Sequence, residues 1–102
     1  METSLQDNAN FRSLVEALLQ LKDADECARF LRDLCTVGEL EAMAERWYVV
    51  QLIEQGLSYR QVSEQSGAST ATIARVAHWL KHGEGGYRLL LDRLAKSDPK
   101  RK

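Results

Sequence analysis

Few side chains in this 102-residue sequence stand at spacings that chemistry requires. His78 and His82 lie four apart, so a helix would carry both imidazoles on one face, an arrangement that can hold a metal. No acidic or cysteine ligand accompanies them in the pattern. The pair therefore reads as polar surface, with His78 suited to a base or phosphate contact, and no metal site is expected. Glu39, Glu41 and Glu45 read as the solvated face of a helix rather than as paired catalytic carboxylates. A phosphate-cradling glycine loop, a nucleophile elbow and a metalloprotease pattern are all lacking, so the chain is not expected to be an enzyme. Cys27 and Cys35 are too few for a disulfide framework. Eight residues apart in a helical pattern, they read as two reduced core thiols of a reducing cytosol, with a bridge or a reactive pair as the alternative. What remains is a run of short hydroxyls, Ser69, Thr70 and Thr72, followed by Arg75.

Those hydroxyls matter only if a helix begins there, and the sequence marks its helix starts repeatedly. Asp23 with Glu26, Thr36 with Glu39, and Ser58 with Gln61 each have capping-box spacing, and Ser69 is a further N-cap. Between these starts the apolar residues recur at helical spacing. Phe11, Leu14, Val15, Leu18 and Leu19 make one stripe, and Cys27, Phe30, Leu31, Leu34 and Cys35 a second. Leu40, Met43, Ala44, Trp47, Val50 and the Leu52-Ile53 pair make a third, in which Trp47 reads as core. Gly56 ends that long helix, Gly67 marks a tight turn, and Gly83, Gly85 and Gly86 break the chain before a last helical segment over 87–94. No stretch alternates with period two long enough for a strand. The expectation is an all-α protein of about six helices in one domain, residues 1–102, with flexible ends at 1–10 and 97–102. Broad apolar faces in so short a chain suggest pairing with a second copy, a compact monomer being the alternative.

Residues 58–81 have the pattern of a helix-turn-helix. Val62 faces inward from the first helix, Gly67 takes a left-handed turn, and Ala68, Ile73 and Val76 supply the inward contacts that set the angle between the helices. Small residues, Ser63 and Ala68, let the backbones approach. Such a unit places the start of its second helix in the major groove of duplex DNA. The exposed positions would then be Ser69, Thr70, Ala71, Thr72, Arg75 and His78. Hydroxyls beside free N–H groups suit phosphate. Thr70, Ala71 and Ala74 can touch thymine methyls, and Arg75 a guanine or a phosphate. Arg60 and Lys81 flank the unit and would neutralise backbone phosphates.

Charge is divided in the way a nucleic-acid partner favours. The formal net charge is −1. Residues 1–57 carry five basic and eleven acidic side chains, a balance of −6, whereas 58–102 carry nine basic and four acidic, a balance of +5. Lys96, Lys100, Arg101 and Lys102 supply much of that excess and can equally be a solvated tail. No apolar run approaches the roughly 18–20 residues of a membrane span. The polar start, 1–10, does not read as a secretory signal, so a cytoplasmic protein is expected.

From about residue 21 to 94 the chain resembles the Trp-repressor superfamily, in its Trp-repressor-related YerC/YecD-type branch. The resemblance is carried by Leu21-Lys22-Asp23, Glu26-Cys27, the 33–37 stretch Asp-Leu-Cys-Thr-Val, Arg46, the 67–73 block Gly-Ala-Ser-Thr-Ala-Thr-Ile, Arg75-Val76 and Leu91-Asp92-Arg93. It implies a six-helix, intertwined homodimer presenting two heads to a palindromic operator, and hence a transcriptional regulator, most simply a repressor. The resemblance also implies a place for tryptophan between two arginines, which align with Arg46 and Arg75, beside threonines aligning with Thr36 and Thr72. The chain departs there: Val76 stands where a glycine adjoins the indole, and Trp79 where the family has a small serine. Added volume in a close-fitting pocket excludes an indole or demands rearrangement. No corepressor is therefore expected, with tryptophan or another small effector as the alternatives. Arg46 serves equally as a surface ion-pair partner of Asp33, Glu39 or Glu41. The stretch 58–63 also resembles region 4 of sigma factors. A helical protein-interaction or small-ligand-sensing module without autonomous DNA readout is the alternative function.

Overall fold

Six α-helices and one 3-10 turn make up residues 4–97, the part described by the computed structural model, and no strand occurs among them. Contacts divide the chain into two units, the first ending at Leu40 and the second beginning at Glu41.

In the first unit a 3-10 turn, Leu5–Asp7, leads into α1, Ala9–Leu19. Asn8 caps α1, its Oδ1 accepting from the Phe11 N–H at 2.9 Å, and Arg12 Nη1 ties the turn to the helix by donating to the Gln6 carbonyl at 2.9 Å. Of the ends read as flexible, residues 5–7 and 9–10 are thus helical and Ser97 closes the last helix, while 1–3 and 98–102 lie outside the described residues. Helix α2 is Ala24–Leu34. Asp23 accepts from the Glu26 N–H at 2.9 Å, but the Glu26 carboxylate accepts from the Lys22 N–H at 2.9 Å, one residue beyond the N-cap that a capping box would engage. Helix α3, Val37–Glu54, opens with the full reciprocal pair: Thr36 Oγ1 accepts from the Glu39 N–H at 3.0 Å, and Glu39 accepts from the Thr36 N–H at 2.8 Å.

No described side chain of this first unit is buried. Phe11, Leu14, Phe30 and Leu31 are half-covered, whereas Val15, Leu18, Leu19 and Leu34 are exposed. Cys27 and Cys35 are free thiols and only half-buried, so the core position expected for them is not found. Two short helices and a turn have too little apolar surface between them to enclose a side chain.

The second unit holds the core. Helices α4 (Tyr59–Ser66), α5 (Thr70–His82) and α6 (Gly86–Ser97) gather around the C-terminal part of α3. Val49, Val50 and Leu52 of α3 meet Val62 of α4, Ala68, Ile73 and Val76 of the turn and α5, and Leu91 of α6. The third apolar stripe differs from the burial found at three positions. Val49 is fully buried although it lies off the stripe, and Met43 and Ala44, which lie on it, are exposed. A helix with neighbours on several sides is buried beyond one face, and Met43 and Ala44 precede the part of α3 that contributes to this core. Arg88 fixes α6 on α3 from outside the core, its Nη1 and Nη2 each donating to a Glu54 oxygen at 2.8 Å and Nη1 also to Asp92 at 3.1 Å. The hydrogen bonds to Glu54, and then those to Asp92, hold its pKa above the ordinary arginine value.

Candidate nucleic-acid interface

The two helices of the head are set by local chemistry. Ser58 and Gln61 close a capping box on α4: Ser58 Oγ accepts from the Gln61 N–H at 3.2 Å, and Gln61 accepts from the Ser58 N–H at 2.9 Å. Gly67 ends α4 at φ 76°, the left-handed conformation that any side chain would strain. Ser63 Oγ then donates to the Ala68 carbonyl at 3.0 Å, and Ser66 Oγ accepts from the Ala68 N–H at 3.0 Å, so both polar groups of the buried turn residue are satisfied. Beneath the turn, Val62, Ala68, Ile73 and Val76 are the inward contacts, as the helix-turn-helix pattern requires.

Helix α5 starts at Ser69, whose Oγ accepts from the Thr72 N–H at 3.1 Å and donates to Thr72 Oγ1 at 3.2 Å. The Thr72 hydroxyl is thereby held and half-buried, while Ser69 and Thr70 are exposed. Ile73, Val76 and Ala77 occupy the buried side of α5. Ala71, Ala74, Arg75, His78 and Lys81 are all exposed, as a reading face requires. No acidic residue occurs in this helix, and neither Arg75 nor Lys81 has an ion pair among the described residues. Arg60, on α4, is exposed and makes a loose pair with Glu64 at 3.9 Å. The result is a hydroxyl-led helix start, with cations along the helix and no carboxylate on it to repel phosphate.

His78 lies edge-on to Trp79, ring centroids 5.1 Å apart, and 5.1 Å from His82. No group of three or more His, Cys, Asp or Glu side chains that could hold a metal occurs among the described residues. Of the four positions aligned with a tryptophan site, Thr36 belongs to the first unit and its hydroxyl already accepts from Glu39. Arg46, Thr72 and Arg75 belong to the second, and Arg46 is exposed with no ion pair to Asp33, Glu39 or Glu41. Val76 is buried in the core, but Trp79 stays 52% exposed. Trp79 is one wall of a cleft of about 400 Å³ whose other sides include Trp47, Tyr87, Leu90 and Glu84, and none of the four aligned positions lines it. Sequence reasoning missed this cleft and the Glu54–Arg88 pair alike. Glu54 and Arg88, like Trp47 and the 79–90 stretch that supplies the rest of the cleft, are far apart in sequence, and no local spacing reports on such a meeting.

An all-α chain whose second unit is built around a helix-turn-helix has the architecture found in helical DNA-binding regulators. The chain belongs to the Trp repressor family, whose model, described as Trp repressor protein, matches residues 9–95. It is 40% identical over 85 residues to the uncharacterized protein YerC of Bacillus subtilis (strain 168), covering 83% of this chain and 82% of YerC. Its fold is shared with a crystal structure from Staphylococcus aureus described as a candidate Trp repressor, at a TM-score of 0.84 and 38% identity over 91% of this chain and 95% of that one. A TrpR-like protein from Eubacterium eligens ATCC 27750 matches at a TM-score of 0.83 and 36% identity, covering 86% of this chain and 91% of its own. Proteins of this family are regulatory DNA binders, not enzymes. No helix among the described residues is long and apolar enough to cross a membrane.

Proposed function

We propose that this protein is a sequence-specific transcriptional regulator, a repressor that acts by occupying a palindromic operator as a homodimer in the cytoplasm. The observation that carries the reading is helix α5, which begins in hydroxyls, exposes Arg75 and Lys81, and has no carboxylate. Ser69, Thr70 and the N-terminal N–H groups of α5 take phosphate; Thr70, Ala71 and Ala74 meet thymine methyls, and Arg75 a guanine. Thr72 supports them through its bond with Ser69. His78, Lys81 and Arg60 add contacts to the backbone. The homodimer is supported by the first unit, where no described side chain is buried and Leu18, Leu19 and Leu34 face solvent in the single chain.

DNA reading here needs no corepressor. Val76 stands where the family has a glycine beside the indole and Trp79 where it has a small serine, and that added volume argues against an indole in a close-fitting pocket. The test is selection of random duplex DNA by the purified protein, at moderate salt and without added ligand. The expected product is a palindrome with half-sites about 10 base pairs, one helical turn, apart or a multiple of it. Recovery only when tryptophan is added would overturn the ligand independence. Recovery of no sequence under either condition would overturn DNA reading itself and leave a protein-interaction module.

A further inference from the structure

The C-terminal part of α5 brings two imidazoles together on the protein surface. His78 and His82 lie four residues apart on this helix, with ring centroids 5.1 Å apart and planes inclined at 45°. Spacing in the sequence put the rings on one face; the structure adds how far apart they stand. Two imidazoles that each give a nitrogen to one metal ion hold their centroids at a distance set by bond lengths. With metal–nitrogen bonds of about 2.05 Å and a centroid about 1.15 Å behind each nitrogen, a tetrahedral ion places the rings about 5.2 Å apart. The two rings already stand at that separation.

Neither imidazole is committed elsewhere. Both residues are exposed, and neither side chain makes a hydrogen bond or ion pair among the described residues. Trp79 meets His78 edge-on, centroids 5.1 Å apart at 77°, and this contact restrains the His78 ring. Arg75 and Lys81, on the same helix, oppose a cation, but both are exposed and water and salt screen them. His82 stands in the last turn of α5, where the carbonyl end of a helix favours positive charge. Imidazole nitrogen suits zinc, nickel and copper, whereas magnesium and calcium take oxygen ligands.

We propose that His78 and His82 chelate a divalent transition-metal ion of the zinc type, with water filling its remaining positions. Held there, the ion adds positive charge to the helix proposed to meet phosphate. The site itself does not rest on the function proposed above, so its test uses the full-length protein without DNA.

Trp79 is a built-in reporter, because nickel quenches tryptophan fluorescence at short range and the His78 ring lies 5.1 Å away. Nickel chloride titrated into the untagged protein should lower the emission saturably. Excess zinc chloride should restore it by displacing nickel, and magnesium chloride should not. The second bond of a chelate forms within one complex, so loss of either ligand forfeits most of the affinity. His78→Gln and His82→Gln should therefore each weaken nickel binding by about tenfold or more, and the double variant little further. Both positions are exposed, so the variants should keep the fold, which their circular dichroism checks. Unchanged affinity in either variant would overturn the proposal and assign the ion to other donors, such as the free thiols of Cys27 and Cys35. Absence of saturable binding both by nickel quenching and by zinc calorimetry would overturn it as well.

Discussion

Arg75 and Arg88 are both exposed arginines of the basic half, yet their surroundings give them different work. Arg88 spends its guanidinium fork on Glu54 and Asp92, which ties α6 to α3 and withdraws its charge from any partner. Arg75 has no such neighbour and stands on the face that would meet a groove. The excess of +5 over residues 58–102 therefore overstates what phosphate can use. Replacing Arg75 with alanine should lower affinity for the selected operator by about 1–3 kcal/mol and relax specificity at one position, whereas Lys81→Ala should weaken binding evenly across sequences. Fluorescence anisotropy on operator and scrambled duplexes distinguishes the two. Unchanged operator affinity for Arg75→Ala would remove that arginine from the reading face. The Arg60–Glu64 pair, long and exposed, yields readily to phosphate because such pairs contribute little.

At the scale of elements, local side-chain chemistry defines the ends of the head's helices, and much of that was legible from spacing. The Thr36, Ser58 and Ser69 caps form where the residue types foretold them. Glu26 shows the limit: its type and spacing suited a capping box, but its carboxylate reached Lys22, because a long side chain at a helix start has several backbone donors within range. Gly67 is the most constrained link. Its φ of 76° is needed to turn α4 into α5, and open space around the Cβ position leaves backbone strain as the only obstacle to a side chain. Gly67→Ala should thus cost about 1–2 kcal/mol of stability, read as a lower denaturant midpoint with an unchanged slope. No loss would mean that the turn relaxes without the left-handed conformation. The face each helix buries was less legible. Val49 and Met43 exchanged their expected roles because the core meets α3 only toward its C-terminal end.

Across the whole molecule, apolar burial is distributed very unevenly. Among the described residues every buried apolar side chain belongs to the second unit, and the helices of the first expose leucines at the single-chain level. If two copies pair as proposed, pairing adds stability, and mass action then makes melting depend on concentration. The melting temperature should rise as protein concentration is raised, with the first unit's amides losing hydrogen-exchange protection first on dilution. A melting temperature independent of concentration, together with a monomer mass in sedimentation, would exclude the homodimer. Binding to DNA by such a dimer should fall steeply with salt, because each neutralised phosphate releases counterions.

Sequence by itself determined whatever rests on interactions within a few residues. That includes the helical periodicity, the N-caps, the left-handed glycine between α4 and α5, and the run of hydroxyls and cations along α5. These depend on backbone geometry that repeats every turn, so residue type and spacing suffice. Only the tertiary structure decided what depends on meetings between distant segments: the fork from Arg88 to Glu54, the burial of Val49, the exposure of Trp79, and the aromatic cleft it shares with Trp47 and Tyr87. Packing selects those partners by shape and volume across the fold, and one-dimensional spacing holds no measure of either.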